Sequence, residues 1–311
     1  MNGVRCEPTS PSIRAMSTHH LARLWDAHLR LQSAEFALTT RRNTMADPMR
    51  QRSVSLLDDL FFDLLAMAAP DLFVEAGAHD ASTSLRVAES GVSRVVAFEA
   101  NPVNHEHFGS LVDFKAHGVD YVHAALTDVA GPVVLHREIG LDGDPFVGHS
   151  SLADRNQDVR HIPTPVDDVS VDGVRLDDAV GDHQRNVLWV DVEGFNGPVL
   201  AGGPEVLRRC AVIKIEVEDV ELWHGQALTV DVLATLLDAG LIPLARDVQS
   251  PGQYNVVAVS EDMSRRDGVM EQVERFHHLA REKQALAVVE RARTSPAYGR
   301  ASRFVRGLAR G

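Results

Sequence analysis

The chain has 311 residues, of which 44% are hydrophobic, enough to bury the core of a large α/β domain with extensions. Its formal net charge of −13 repels phosphate backbones, and no basic stripe interleaved with aromatic residues marks the middle of the chain, so we expect no nucleic-acid partner. Cys6 and Cys210 are too few for a disulfide framework or a zinc site, and no apolar run reaches the ~20 residues of a membrane-spanning helix, so we expect a cytoplasmic protein without an integral membrane segment.

The first predicted elements form an N-terminal extension over residues 1–52. Residues 1–15 are polar and contain Pro and Ser, which is typical of a disordered segment. Ser17 can cap an amphipathic helix whose apolar positions recur at helical spacing. These positions are Leu21, Leu24, Trp25, His28 and Leu31.

The predicted core domain covers residues 53–262. It opens with a helical stripe from Leu56 to Leu65 that ends before Pro70, after which strand and helix patterns alternate as in βαβ units. The predicted strands cover residues 72–76, 94–99, 119–126, 132–136, 187–192, 212–217, 241–245 and 254–260. Residues 246–253 are too few for a crossover helix, so the final strand should run antiparallel to its neighbour.

These elements predict an α/β fold with a Rossmann-like, doubly wound, seven-stranded sheet. The sheet is mostly parallel with one antiparallel strand near the C-terminal edge, which is the topology of class I methyltransferases. A Gly-, Pro- and Asp-rich stretch over residues 140–173 is interpreted as an acceptor-side loop. Residues 263–311 should form a C-terminal helix and a basic flexible tail, which is either simply solvated or weakly bound to an anionic membrane or partner. We also expect a homodimer through the terminal helices.

Three of the predicted strands end in acidic residues, Glu75, Glu99 and Asp191. In a parallel sheet, the carboxyl ends of such buried strands open onto one crevice, where open α/β folds bind their ligands. In nucleotide-binding folds, roughly 20 residues separate the nucleotide-binding turn from the acid that accepts the ribose hydroxyls. Glu75 and Glu99 have a similar separation. The spacing therefore predicts a ligand that carries a ribose.

The turn after the first strand indicates which ligand this is. Gly77 lets the backbone pass close to a ligand, and the helix that begins at Ser82 offers N-terminal amides to a carboxylate such as the methionine tail of S-adenosylmethionine. A dinucleotide would require G-x-G-x-x-G, whereas residues 76–81 read Ala-Gly-Ala-His-Asp-Ala. Asp80 would repel a pyrophosphate, but an acidic crevice suits a cationic sulfonium. The sequence therefore favours S-adenosylmethionine over a nicotinamide cofactor.

The predicted cofactor contacts leave alternatives open. Glu99 either accepts both ribose hydroxyls or only caps the helix at Pro102. Glu75 either binds the methionyl ammonium, directly or through water, or makes a structural hydrogen bond to the turn. Ala125, Leu126 and Asp128, at the end of the third strand and just beyond it, would lie beside the adenine. The predicted cofactor-binding residues are Glu75, Gly77, Ala78, His79, Ser84, Glu99, Asn101, Asp128 and Asp191.

Several blocks between residues 72 and 260 resemble the FkbM-type methyltransferases. The blocks are Val74-Glu75-Ala76-Gly77-Ala78-His79-Asp80-Ala81-Ser82-Thr83-Ser84, Ala97-Phe98-Glu99-Ala100-Asn101-Pro102, Ser150-Ser151-Leu152, Leu176-Asp177-Asp178, Val190-Asp191-Val192-Glu193-Gly194, Val199-Leu200-Ala201-Gly202 and Tyr254-Asn255-Val256-Val257. The resemblance implies an S-adenosylmethionine-dependent O-methyltransferase that acts on a hydroxyl of a small molecule or sugar. The family usually has Asp, Asn and Gly where this chain has Glu75, His79 and Ala81, and we expect Ala81 to tolerate helical geometry. This altered turn keeps open a non-catalytic member of the fold that binds S-adenosylmethionine or a partner.

Methyl transfer to an alcohol requires the acceptor oxygen about 3 Å from the methyl carbon and a base for its proton. Asp191 and Glu193 are two positions apart at a strand end, so both side chains point the same way if the strand persists; alternatively they cap the helix after Gly194. His149, in the acceptor-side loop, is either the base or an ordinary surface histidine. Asp191, Glu193 and His149 are therefore the predicted catalytic residues.

Acidic and aromatic residues at and after the end of the predicted strand 212–217 complete the candidates. Glu216 and Glu218 end that strand, and Trp223 follows, where it would either stack on a sugar or pack in the core. Asp191, Glu193 and Glu218 could supply oxygen ligands to Mg²⁺. The Asp-Asn ligand pair of catechol-type enzymes is absent from the sequence, however, so we predict no metal.

Overall fold

The computed structural model describes residues 18–39, 48–140, 143, 145–159 and 165–280. These residues form helices α1 (Thr18–Thr39), α2 (Pro48–Ala68), α3 (Ser82–Glu89), α4 (Pro102–Leu111), α5 (Leu176–Val180), α6 (Asn196–Ala201), α7 (Pro204–Arg208), α8 (Thr229–Asp238), α9 (Glu261–Ser264) and α10 (269–280). The strands are β1 (Leu72–Ala76), β2 (Arg94–Glu99), β3 (Val119–His123), β4 (Ala125–Thr127), β5 (Gly131–Glu138), β6 (Val166–Arg175), β7 (Asn186–Val190), β8 (Cys210–Glu218), β9 (Leu241–Arg246) and β10 (Gln253–Ser260). The predictions for residues 1–15 and for the basic tail lie outside the described ranges.

The main sheet has seven strands in the order β3-β2-β1-β7-β8-β10-β9. β1 pairs in parallel with β2 and β7, whereas β10 runs antiparallel to both β8 and β9. Its central strands are covered on both faces, and all 9 residues of β8 are buried, which explains why they read as continuous apolar runs. The predicted doubly wound sheet and its reversed last strand are confirmed.

A second sheet of three strands, in the order β4-β6-β5, differs from the sequence prediction. The sequence predicts one strand over residues 119–126, but the structure divides it into β3 and β4, which belong to different sheets. The stretch 140–173, interpreted as a loop, contains most of β6. Only Val171 and Gly173 of that strand are buried, so its apolar pattern is too weak to stand out in the sequence.

Helices cover both faces of the main sheet around two apolar clusters. On one face, Ile213 of β8 belongs to the same cluster as Leu233 of α8. On the other face, Val212 joins a cluster that includes Leu57 of α2 and Phe276 of α10. Full burial of one such side chain stabilises the fold by about 1.5–3 kcal/mol. Because Phe276 belongs to this cluster, the C-terminal helix α10 packs as part of the domain.

Helix α1 buries a different face from the predicted stripe. Leu24 and Leu31, predicted on the apolar stripe, are exposed, whereas Leu29 is buried. The buried face also carries Asp26, whose carboxylate accepts a hydrogen bond from the Tyr254 hydroxyl of β10 at 3.2 Å. A paired, buried acid is invisible to a hydrophobic pattern, which is why the predicted phase is wrong. Within the described ranges, neither α1 nor any other helix has the length and apolarity to span a bilayer.

Candidate active site

The carboxyl ends of β1, β2 and β7 meet at one cleft, as expected for an open parallel sheet. Its walls include the predicted site residues Gly77, His79, Glu99, Asn101, Asp191 and Glu193. Apolar side chains, among them Phe98, Leu126 and Leu135, line the rest. Gly77 and Glu99 therefore share one cleft, which is the juxtaposition that an adenosyl cofactor requires.

Gly77 occupies a position that accepts no side chain. Its φ of +77° is left-handed, and a Cβ there would lie 1.8 Å from the carbonyl oxygen of Asp191. The N–H groups of Gly77 and Ala78 both donate to the Phe98 carbonyl, at 3.0 and 2.9 Å. Ala78 is buried and stands behind the cleft wall. Glycine thus allows the β1 turn to lie directly against the end of β7, leaving bare backbone at the cleft.

Glu99 holds together the two turns that border the cleft. Its Oε2 accepts the His79 N–H and its Oε1 accepts the Asn101 N–H, both at 2.7 Å. The residue is 7% exposed, and this burial raises its pKa although the two amides act in the opposite direction. A carboxylate has about four acceptor sites, so lone pairs remain for hydroxyl groups in the cleft. The structural role of Glu99 is therefore compatible with its predicted ribose role.

Asn104 is a cleft residue that the sequence analysis does not predict. It is 2% exposed, and its Nδ2 donates to the Val147 carbonyl at 3.3 Å. Its Oδ1 has no hydrogen-bond partner among the residues described. An unsatisfied buried acceptor costs about 1–3 kcal/mol, which a ligand hydroxyl or amine would recover. The available signal was its position one turn after Asn101, the cap of α4.

Glu75 and Ser84 lie behind the cleft rather than on its wall. Glu75 is 4% exposed, and its Oε2 accepts the N–H of Ser84 at 2.9 Å and the hydroxyl of Ser84 at 2.5 Å. Burial raises the pKa of Glu75 to about 7. These contacts support the structural hydrogen bond over direct contact with a methionyl ammonium. Asp128 is exposed and off the cleft wall, whereas Ala125 and Leu126 line it, so the adenine contact predicted for Asp128 is not supported.

The turn after β1 holds two residues other than glycine in left-handed conformations. The φ angles are +48° at His79 and +51° at Ala81, so the helical geometry expected at Ala81 is not observed. A left-handed conformation costs roughly 1–2 kcal/mol for an L-residue. His79 is held there by Glu99 at its N–H, by the Tyr121 hydroxyl at its carbonyl, and by the Phe146 carbonyl 3.1 Å from Nε2.

Residues 145–152 form a segment, here named the cover segment, that folds over the cleft. Phe146 stacks on His107 of α4 with ring centroids 3.8 Å apart. The Ser151 hydroxyl donates to the Glu193 carbonyl at 2.6 Å. The cavity that remains is about 60 Å³, far below the ~300–1,000 Å³ of typical ligand pockets. A nucleoside cofactor therefore requires the cover segment to move outward.

Three carboxylates converge at the ends of β7 and β8. Because β7 ends at Val190 and Glu193 has a left-handed φ of +48°, the strand does not persist to Glu193, so the condition on which both side chains would point the same way is not met. The loop nevertheless brings carboxylate oxygens of Asp191, Glu193 and Glu216 within 4.8 Å of one another. In the β7–β8 register, Val190 pairs with Ile215. The residues that follow them, Asp191 and Glu216, therefore lie close together.

Burial and mutual repulsion raise the pKa values in this cluster. Burial raises the pKa of Asp191, and the positive charges of Lys214 and, more weakly, His149 oppose it. Burial also raises the pKa of Glu216 well above its ordinary value, and neighbouring carboxylates, Asp191 first, raise it further. The carboxyl groups of this cluster therefore give up their protons less readily than exposed carboxyl groups do.

A polar groove of about 440 Å³ adjoins the cleft. His149 lines the groove, while its neighbours Gly148 and Ser150 line the cleft, so His149 stands at the boundary between the two. The groove also carries the buried ion pair of Arg155 with Glu138, whose atoms are 2.6 Å apart. Such fixed charged donors and acceptors suit a hydroxylated ligand.

Trp223 borders the groove but is almost completely buried in the protein interior. It is 1% exposed, and a Cβ on Gly194 would lie 2.6 Å from its ring. The Arg155 guanidinium lies above the ring, 5.5 Å from its centroid. These contacts support packing, the second of the two roles predicted for Trp223.

A larger cavity, about 790 Å³, opens at the β2–β3 edge of the main sheet. Its walls include Phe114, Tyr121 and Val122 and none of the predicted site residues. The converging carboxylates identify the smaller cleft as the candidate active site.

Comparisons with known proteins identify the family of this chain. Residues 75–242 match a family model described as the methyltransferase FkbM domain. A curated relative, 2-O-methyltransferase NoeI of Sinorhizobium fredii (strain NBRC 101917 / NGR234), is 28% identical over 206 residues, which are 62% of this chain and 78% of the relative.

Solved structures of methyltransferases also align with the chain. Precorrin-6y C5,15-methyltransferase from Geobacter metallireducens GS-15 gives 15% identity and a TM-score of 0.36, over 72% of this chain and 93% of that one. Magnesium protoporphyrin IX methyltransferase from Synechocystis PCC 6803 with bound SAM gives 11% identity and a TM-score of 0.40, over 79% and 99%. Such low TM-scores add nothing to the assignment, which rests on the family model. Because that model covers more than half of the chain, the protein belongs to the FkbM methyltransferase domain family and is an S-adenosylmethionine-dependent methyltransferase.

Proposed function

We propose that the protein transfers a methyl group from S-adenosylmethionine to a hydroxyl group of a small molecule or sugar. The proposal rests on the position of Asp191 and Glu193, which line the cleft. A polar groove adjoins this cleft, and His149 lies at the boundary between the two. An alcohol must lose a proton as it is methylated, and these side chains can accept one. The site thus combines a cofactor cleft, proton acceptors and a separate space for an acceptor molecule.

The cleft residues fit the parts of the cofactor. When bound, S-adenosylmethionine supplies an electrophilic methyl group on a sulfonium centre. Glu99 and Asn104 offer buried acceptor oxygens to ribose hydroxyls, and Gly77 presents bare backbone beside them. Leu126 offers an apolar surface to the adenine. The negative charge of the nearby carboxylates suits the positive sulfonium.

His149 and Asp191 would take up the proton of the acceptor. The hydroxyl proton passes to His149, and the Asp191 carboxylate, which interacts electrostatically with that histidine, stabilises the resulting imidazolium. The cover segment carries His149, so its closure would bring the base to the acceptor and exclude water. Fixing the acceptor oxygen about 3 Å from the methyl carbon would supply much of the rate acceleration.

The groove favours a polyhydroxylated acceptor such as a sugar. Arg155 and Glu138 are held rigidly by their ion pair, with side chains 10% and 6% exposed. His136 lies next to them, with Nδ1 2.8 Å from the Asp168 carboxylate. The relative named as a 2-O-methyltransferase supports an oxygen acceptor. A cytoplasmic location, the absence of a nucleic-acid partner and a homodimer through the terminal helices stay predictions.

A non-catalytic member of the fold is the second candidate. The left-handed turn at His79 and Ala81, where the family resemblance implies Asn and Gly, is the observation that favours it. Such a protein would bind S-adenosylmethionine or a partner without turnover.

Calorimetric titration with S-adenosylhomocysteine, followed by a methyl-transfer assay on a pool of sugars and polyols, separates these candidates. Binding with turnover that falls in Asp191→Asn supports the enzyme. Binding without turnover on any acceptor favours the non-catalytic member, and no binding at millimolar ligand contradicts the cofactor site itself. Asp172→Asn, at an exposed position on β6, is the control and should match the wild-type protein.

A further inference from the structure

The cluster of Asp191, Glu193 and Glu216 has the features of a cation site. One carboxylate oxygen from each residue lies within 4.8 Å of the others, a spacing that a single ion can bridge. Glu216 is 6% exposed, and although its side chain shares a hydrogen bond with Asp191, its Oε2 finds no hydrogen-bond partner in the described part of the chain. A buried carboxylate oxygen without a donor is rare in folded proteins, so Glu216 marks a place where a ligand is expected.

The neighbouring lysine does not serve as the counter-ion of Glu216. Lys214 Nζ lies 2.6 Å from the Asp58 carboxylate of α2 and 3.4 Å from the centroid of the Trp189 ring. Lys214 therefore forms its ion pair with Asp58, and although its charge also acts on Asp191 it makes no ion pair with Glu216 among the described residues. Buried carboxylates that lack a paired charge are normally neutralised by protons or by a metal ion.

We propose that Asp191, Glu193 and Glu216 together bind one divalent cation of the kind that prefers oxygen ligands, such as Mg²⁺ or Mn²⁺. Three carboxylate oxygens leave open positions, which water and an acceptor hydroxyl would fill. The sequence-based prediction of no metal counted Glu218 as the third acid. The β7–β8 register instead brings Glu216 beside Asp191.

The role of this ion rests on the proposed function. A hydroxyl coordinated to a divalent cation is more acidic than a free one, so its proton leaves more readily to His149. The oxygen keeps the electron pair of the O–H bond and uses it to form the new O–C bond, while the C–S bond of the donor breaks and its electron pair stays on sulfur. His149 then releases the proton to solvent, and the ion is unchanged.

Metal binding is measured directly, without cofactor or acceptor. The full-length protein is treated with EDTA, dialysed, and titrated with Mn²⁺ by electron paramagnetic resonance and with Mg²⁺ by calorimetry. We expect one site, weakened at least ~10-fold in Glu216→Gln and in Glu193→Gln. Glu75→Gln changes a similarly buried carboxylate on β1 that is hydrogen-bonded to Ser84, and this variant should bind the ions like the wild type.

The outcomes are separable from those of the proposed function. Thermal unfolding checks that each variant is folded, and Glu193→Gln serves if Glu216→Gln is not. If the wild-type protein binds neither Mn²⁺ nor Mg²⁺, or if all variants bind these ions equally, the proposal is overturned. A proton shared between the carboxylates would then occupy the cluster in place of a metal ion. Metal binding that is lost in both cluster variants supports the site even if no acceptor is methylated, whereas methylation that survives EDTA with unchanged rate overturns the role of the ion.

Discussion

Replacing Glu99 with glutamine tests the centre of the cofactor site. The carboxylate accepts two backbone N–H groups at 2.7 Å, from His79 and Asn101. Glutamine has the same size but only one acceptor oxygen, so its NH₂ group must face one of these N–H donors. A hydrogen bond to a charged group contributes about 1.5–3 kcal/mol, and an unsatisfied buried donor costs about 1–3 kcal/mol.

Part of this loss is offset, because glutamine avoids the desolvation that raises the pKa of Glu99. We therefore expect Glu99→Gln to lower the free energy of unfolding by about 1–2 kcal/mol, which leaves the domain folded. The substitution should also weaken cofactor binding directly, apart from its effect on stability. Loss of a charge-assisted hydrogen bond to the ribose should weaken S-adenosylhomocysteine binding by about 1–2 kcal/mol, roughly 5- to 30-fold.

Two measurements separate the effects on stability and on binding. Circular dichroism follows thermal unfolding, and calorimetry gives the affinity for S-adenosylhomocysteine. Glu138→Gln is the matched control, since Glu138 is also buried and loses an ion pair with Arg155, yet it lines the groove instead of the cleft. It should lower stability without changing this affinity. If folded Glu99→Gln binds S-adenosylhomocysteine as tightly as the wild type, the assignment of Glu99 to the ribose is wrong.

Three further changes probe the rest of the site. Gly77→Ala, whose Cβ would lie 1.8 Å from the Asp191 carbonyl, should lower the melting temperature and abolish S-adenosylhomocysteine binding. Gly91→Ala, with a similar φ and no atom within 4 Å, should lose only the roughly 1–2 kcal/mol of the left-handed conformation and leave that binding unchanged. Asp191→Asn should lower kcat more than the affinity for S-adenosylhomocysteine; an unchanged kcat would remove Asp191 from the chemistry. Glu75 binds a proton more tightly in the folded state, with a pKa of about 7 against an ordinary 4.5. Stability should therefore fall by up to about 3 kcal/mol as pH rises from 4.5 to 7, and chemical denaturation of Glu75→Gln should show a flatter profile.

The main sheet is predictable because its strands are buried on both faces. The nine buried residues of β8 leave an apolar run that no helix period explains. The short connection between β9 and β10 fixes the reversed strand without any tertiary information. The smaller sheet is harder, because β6 has only Val171 and Gly173 buried and its other residues are polar or partly exposed.

The candidate site is predictable where a residue follows directly from a strand end. Gly77, Glu99 and Asp191 each follow a buried strand, so the topology alone brings them to one edge of the sheet. Asn104 and Glu216 depend on other information. Asn104 faces the cleft only because of the phase of α4, and Glu216 joins Asp191 only because of the strand register. Neither phase nor register can be derived from a single sequence.

The strained turn after β1 connects these observations to the opening of the cleft. His79 keeps its left-handed conformation through contacts with Glu99, Tyr121 and Phe146. Phe146 belongs to the cover segment, so the contacts that hold the strained turn also close the cleft. A cofactor that displaces the cover segment removes one of these contacts and must replace it with its own, because the strain of roughly 1–2 kcal/mol at His79 would otherwise be released. Asparagine at position 79 and glycine at position 81, which the family resemblance implies, adopt left-handed conformations at lower cost and would lessen this dependence on the cover segment.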